Sequence, residues 1–184
     1  MATIVELDGV APTIGEDVFL APTAVLIGDV RVGDRTNIWF GTVLRADARN
    51  AHIEIGAGCS IQDNAVIHCA DDLPTVIGAD VVVGHGALLE GCTVDDRALI
   101  GMGSIILQHV HVGEGAMVAA GAVVSERSQI RPGVLVGGVP SRTIKELSGS
   151  ALAWTESAAG HYQELRDHYL RTSRVRHHED ERVP

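Results

Sequence analysis

The sequence predicts a mainly β protein: a parallel β-helix wound from six-residue repeats and followed by a C-terminal α-helix. Three observations carry this expectation. Aliphatic residues recur at every sixth position over most of the chain. A small or β-branched residue follows many of them four places later. The composition is rich in glycine and nearly empty of aromatic rings.

Counting by six gives Ile14, Leu20, Leu26, Val32, Ile38 and Leu44, then Ile55, Ile61 and Ile67. A third run passes through Val76, Val82, Leu88, Val94, Ile100, Ile106, Val112, Val118, Val124, Ile130 and Val136. None of these positions is polar. If about half of all residues are apolar, chance yields such a record roughly once in a million trials. An α-helix buries every third and fourth residue, so a period of six excludes it. Short strands joined by tight corners satisfy it, with one large side chain pointing inward per strand. Three strands make a triangular coil, and stacked coils pair their backbone groups with the coil above and below. Ile77, Val83 and Leu89 fit almost as well as their predecessors, which predicts a small slip of register near residues 89–94.

The second regularity runs through Val18, Ala24, Val30, Thr36 and Thr42, and again through Ala98, Ser104, Val110, Ala116 and Ala122. Glycine often follows the aliphatic directly, at Gly15, Gly33, Gly56, Gly101 and Gly113, and is read as relaxing the turn. Apolar residues make up 46% and aromatics 3%, so the core is filled by Val, Ile, Leu and Ala. The 184 residues suffice for one domain with a sizeable core.

Residues 1–140 are assigned to the β-helix, 141–175 to a helix packed on it or on a neighbouring subunit, and 176–184 to a polar tail. Leu152, Ala158, Tyr162, Leu165 and Tyr169 form the apolar stripe of that helix. Two stretches break the period, 45–54 and 68–75, and are predicted to project as loops, where function tends to sit.

A net charge of −10 argues against nucleic acid or an anionic membrane as partner. No stretch approaches the roughly 20 apolar residues of a membrane span. The first residues lack the layout of a signal peptide. Cys59, Cys69 and Cys92 cannot all pair within one chain, which predicts reduced, buried thiols in a cytoplasmic protein.

The strongest cluster of chemistry-bearing residues is His68, His85 and Glu90. The 17 residues between the histidines approximate one coil of three strands, which predicts both on nearly the same edge. Coils lie about 4.8 Å apart, so both imidazoles would face one ion. The alternative is two separate edge histidines satisfied by backbone or water.

The stretches Ile27-Gly-Asp-Val30, Val43-Leu-Arg-Ala-Asp47, Ile61-Gln-Asp-Asn64, Val66-Ile-His68, Val83-Gly-His-Gly86, Gly91-Cys-Thr-Val94, Leu99-Ile-Gly-Met-Gly103 and Gly137-Gly-Val-Pro140 occur in this order. Together they resemble the γ-carbonic anhydrase family of hexapeptide-repeat proteins, over most of residues 10–140. The resemblance implies a left-handed β-helix; the general preference for right-handed crossovers points the other way. It implies a homotrimer with zinc or ferrous iron between subunits, His68 as the first ligand and His85 of the adjacent chain as the second. Arg45 and Asp47 match a charged pair near the interface. Gln62 and Asp63 match polar residues beside the metal-bound water, and Tyr162 matches a tyrosine from the C-terminal helix. A charge pairing of Arg45 with Asp63 that only stabilises the trimer is the competing reading of those two residues.

One departure matters. Where the family has its third histidine, this sequence has Glu90. Either Glu90 completes a His₂Glu set of the kind zinc hydrolases use, or the ion is held loosely or not at all. A carboxylate lowers the net charge of the site by one and polarises water less. Hydration of CO₂ by metal-bound hydroxide is therefore expected to be weak at neutral pH and to improve as pH rises. Asp71 and Asp72 are the only local candidates for a proton shuttle, with a solvated turn as the plainer role.

Two other functions fit the same scaffold. The stretch 146–154 resembles a thioesterase-like branch of the family, for which a groove able to take a pantetheine arm is required. A non-catalytic trimeric scaffold is the third reading, since loss of one ligand accompanies such a role. Acetyl transfer, common among hexapeptide proteins, uses a different histidine context. His109 and His111 read as a surface pair, the cysteines as buried small residues, and His177-His178 as adventitious binders.

Overall fold

A computed structural model describes residues 1–172 of the chain. Its short strands fall into three sheets of seven, seven and eight members. Up to Val134–Gly138 consecutive strands belong to different sheets, and each pairs with the strand one coil away, as Val25 does with Val43 and Ile105 with Val123. That is a parallel β-helix of about seven turns, as the period of six predicts.

The two interruptions enlarge particular coils. Eighteen residues separate Ile105 from its partner Val123, but 23 separate Val43 from Val66 and 22 separate Val66 from Leu88. Both insertions leave the prism at the same corner and stack on each other. The Arg49 guanidinium and the Asn50 amide donate to the Asp72 carboxylate at 2.9 Å each, and the Arg49 amide donates to Asp71 at 2.9 Å. Asp71 and Asp72 thus tie one loop to the next.

The repeat positions fill the interior. Leu26, Ile38, Leu44, Ile61, Ile67, Ile100, Val118 and Val124 are fully buried. The slip lies where the ambiguity fell, and it corrects three positions. Ile77, Val83 and Leu89 point inward, while Val76 is part-exposed, Leu88 is exposed, and Val82 lies outside under the helix. Successive side chains of a strand alternate faces, so a register error of one residue inverts the assignment. The next inward residue, Val94, comes five places after Leu89 instead of six.

The residues four places on line the corners and are buried except Val18. Thr36 and Thr42 donate their hydroxyls to the Gly56 and Gln62 carbonyls, both at 2.8 Å, which satisfies polar groups that water cannot reach. The glycines after the aliphatic do something other than relax a turn. None of Gly15, Gly33, Gly56, Gly101 and Gly113 has a positive φ. A Cβ on Gly56 would instead lie 2.6 Å from the carbonyl carbon and oxygen of Gly78 in the next coil. Coil-to-coil spacing, and not conformational freedom, requires glycine there.

The C-terminal segment also departs from expectation. Residues Ser141–Glu146 form a strand antiparallel to Val134–Gly138, and the helix begins only afterwards, spanning Gly149–Thr172. The last strand of the third sheet would otherwise present an open edge, and the hairpin covers it. The helix lies along the third sheet of its own chain. Tyr169 meets Trp39 edge-on with ring centroids 5.0 Å apart, Gln163 donates to the Gly58 carbonyl at 2.8 Å, and Arg166 donates to the Asp17 and Arg35 carbonyls at 3.1 Å. Ala158 and Tyr162 pack near Val82 and Leu99 as the stripe predicts, whereas Leu152 is exposed. The tail 176–184, with His177-His178, lies outside the described residues. Among the described residues no helix is long and apolar enough to cross a membrane.

Candidate metal centre

The site is built on the first sheet, from the two corners that bound its strands. Arg45 in Val43–Ala46, His68 in Val66–His68 and Glu90 in Leu88–Glu90 sit in register on three successive coils. They form a polar ladder at the ends of these strands, where the two insertions leave the prism. His68 ring nitrogens face two carboxylates: Nε2 lies 2.9 Å from Asp47 Oδ1, and Nδ1 lies 3.6 Å from Glu90 Oε2. The Arg45 guanidinium donates to the other oxygen of Asp47 at 2.6 Å. Burial alone would raise the Asp47 carboxyl, but hydrogen bonds from His68 and Arg45 and the Arg45 charge hold it below its ordinary 3.8. Gln108, one coil beyond Glu90, donates its amide to Glu90 Oε1 at 2.7 Å.

His85 lies elsewhere. It occupies the turn that precedes Leu88–Glu90, so the length of a strand, about 10 Å, separates its corner from that of His68 and Glu90. The expectation that spacing places the two histidines on nearly one edge is therefore corrected. Between them stands the 68–75 insertion, and one full coil from His68 is 22 residues, ending at Glu90. Among the described residues no three metal-binding side chains of one chain converge on a point.

At its own corner His85 keeps company with Asp63, whose carboxylate lies 2.9 Å from Nδ1. Gln62, almost fully buried, adjoins it. Both sit beside a cleft of about 330 Å³ between the third sheet and the helix. Leu99, Met102, Trp154 and Tyr162 line that cleft too. Tyr162 thus reaches the same cleft as Gln62 and His85. Arg45 and Asp63, read from sequence as a possible pair, each have a different partner within the chain.

The donor chemistry fits a divalent ion. Each of the three side chains has one atom held by a neighbour of suitable polarity and a second atom turned away from it. His68 has Asp47 and His85 has Asp63, the carboxylate–imidazole pairing that sets tautomer and orientation in metal centres. Glu90 has an amide donor in Gln108. The Glu90–Gln108 bond escaped the sequence reading, although their separation of 18 residues, one coil, was a signal for it.

The remaining polar features stay apart from this site. His111 pairs with Asp95 at 2.8 Å on the surface. The three thiols are free and buried; burial pushes Cys59 and Cys92 up to about 12, and raises Cys69. None is a nucleophile near neutral pH.

Comparison with known proteins agrees with the fold and the motifs. The family model described as bacterial transferase hexapeptide (six repeats) matches residues 11–46 and 91–126. The chain is 40% identical over 169 residues to gamma carbonic anhydrase 2, mitochondrial, of Arabidopsis thaliana, covering 89% of this chain and 60% of that protein. A carbonic anhydrase of Geobacillus kaustophilus is 38% identical over 161 residues, covering 88% and 87%. Among solved structures, a hexapeptide transferase family protein from Anaplasma phagocytophilum superposes with a TM-score of 0.86 at 36% identity, covering 91% of this chain and 98% of that one. The chain spans about three fifths of the length of the plant relative.

Proposed function

We propose, from the premise that this chain belongs to the γ-carbonic anhydrase family, that it interconverts CO₂ and bicarbonate at a metal centre shared between adjacent copies of itself. One observation supports the reading: the candidate ligands fall into two groups at opposite ends of the strands of one sheet. His68 and Glu90 form the first half and His85 the second. The halves are different surfaces, so their pairing between copies is heterologous, which gives a closed ring when the rotation between copies closes. The family resemblance makes that ring a homotrimer.

Zinc or ferrous iron held by His68 and Glu90 of one copy and His85 of the next would supply the Lewis acidity that makes water a nucleophile near neutral pH. The chain's own residues do the rest. Asp47, itself anchored by Arg45, holds the His68 ring, and Asp63 holds that of His85. Gln62 presents its amide beside His85, where it orients the reacting oxygen, and Tyr162 lies across the same cleft. Leu99, Met102 and Trp154 give that cleft apolar walls, which suit uncharged CO₂ and disfavour retention of the bicarbonate anion. The reduced thiols suit a reducing compartment such as the cytoplasm. The relatives found favour neither thioester hydrolysis nor a purely structural role.

The test is the metal content of the untagged chain purified without chelators, followed by stopped-flow CO₂ hydration. About one zinc or iron per chain, with hydration above the buffer rate, is expected. A chain that carries the ion and hydrates no CO₂ at any pH from 6 to 9 would overturn the assignment.

A further inference from the structure

We propose that Gln108 is the positioning residue for Glu90: it holds one carboxylate oxygen so that the other is presented to the ion. This rests on the shared-metal reading above and assigns a role to a residue outside the ligand set and its matched neighbours.

Gln108 is well placed for this. It follows strand Ile105–Ile106 on the coil beyond Glu90, and its backbone is fixed on both sides. The His109 amide donates to the Gly91 carbonyl at 2.7 Å, and the Gln108 carbonyl accepts from the Arg127 amide at 3.1 Å. Its stem passes over Gly91: a Cβ there would lie 3.3 Å from Gln108 Cγ. A side chain at 91 would meet Leu73 first, at 2.5 Å, and would also crowd the Gln108 stem beside Glu90. The Gln108–Glu90 bond of 2.7 Å is part-buried and its acceptor is a carboxylate, which makes it stronger than a neutral pair.

The consequence follows from what Glu90 replaces. An imidazole is a rigid ring that needs one partner on its far nitrogen. A glutamate has three rotatable bonds and two equivalent oxygens, and ordering it costs side-chain entropy. Gln108 meets that cost before an ion arrives. It engages Oε1 and leaves Oε2, the oxygen 3.6 Å from His68 Nδ1. The donor is a neutral amide, so it adds no positive charge beside the ion, as a lysine or arginine there would. The three holders thus match their charges in polarity: carboxylates for the two imidazoles, an amide for the carboxylate.

The test measures Zn²⁺ affinity by competition with a chromophoric chelator for the full chain and for Gln108→Met, which keeps the stem and removes the donor. Glu90→Ala and the double variant complete the cycle. Gln108→Met is expected to weaken zinc binding about 10–100-fold, the range typical of lost outer-shell partners. In the Glu90→Ala background the same change is expected to do nothing, because its target is gone. A structural role would act in both backgrounds and would lower the unfolding temperature of the metal-free protein. Zinc affinity unchanged in Gln108→Met, or an equal loss in both backgrounds, would overturn the proposal and leave the shared-metal reading standing. A parent chain that binds no zinc, or a Glu90→Ala chain that binds it as tightly as the parent, would overturn that reading and this one with it.

Discussion

Replacing His85 with alanine is expected to strip the protein of its metal and leave its fold intact. The side chain is half exposed and its partner within the chain, Asp63, is part-exposed as well, so little packing is lost. Two donors, His68 and Glu90, would remain for an ion that structural and catalytic sites hold with at least three protein ligands. Affinity should fall by more than about a hundredfold, beyond the loss expected for an outer-shell partner. Elemental analysis of the purified variant would read less than about a tenth of an ion per chain, against about one in the parent. The thermal midpoint of the metal-free variant should stay within a few degrees of the metal-free parent. A variant that keeps its metal would remove His85 from the ligand set.

The largest effect on stability is expected at a residue far from this chemistry. Gly56→Ala would place a methyl 2.6–2.7 Å from Gly78 and Ala79 backbone atoms in the next coil. A side chain could swing away, but these atoms belong to the ladder: the Gly56 amide donates to the Ile77 carbonyl and the Gly78 amide to the Val94 carbonyl, each at 2.8 Å. The coils must part locally, which strains both bonds. Overpacking of this kind costs about 1–3 kcal/mol and occasionally more. With the strained bonds added, about 3 kcal/mol is expected, which lowers the melting temperature of a chain this long by about 10 °C. The same substitution at Gly160, in the middle of the helix with nothing within 4 Å of its Cβ, should stabilise by up to about 1 kcal/mol. Thermal unfolding of both variants checks the pair. A Gly56→Ala chain as stable as the parent would mean that the stacking of the coils does not require glycine there.

That contrast shows where sequence reasoning ran out. Periodicity placed the interior well, because one inward aliphatic per strand leaves a repeat that loops cannot disguise. It misassigned Val76, Val82 and Leu88 because an aliphatic stands on both faces at each of these places, and period six alone cannot tell inside from outside. Glycines were legible as required but not the reason, since crowding by a neighbouring coil leaves no mark in the local sequence. The hairpin at Ser141–Glu146 was hidden by polar residues: a strand that only covers an edge is exposed, and lacks any hydrophobic signal.

At the site, the candidate residues could be picked out of the sequence, but their geometry could not. Counting 17 residues as a coil ignored the insertion that separates His68 from His85. Once the longer coil is allowed, Glu90 becomes the register partner of His68, and His85 moves to the opposite corner. Gln108 went unnoticed because an amide one coil away resembles any surface glutamine until the carboxylate it holds is seen.

The central claim is that the metal centre is divided between copies of the chain. Its most direct test mixes two disabled proteins. His68→Ala and His85→Ala chains, unfolded together and refolded as a mixture of equal parts, form rings in which some neighbours supply the complementary halves. With random assembly, about one quarter of the sites regain both histidines. The mixture is therefore expected to carry metal at about one quarter of the parent's content, while each variant refolded alone carries almost none. Metal content no higher in the mixture than in the separate variants would contradict a site shared between chains.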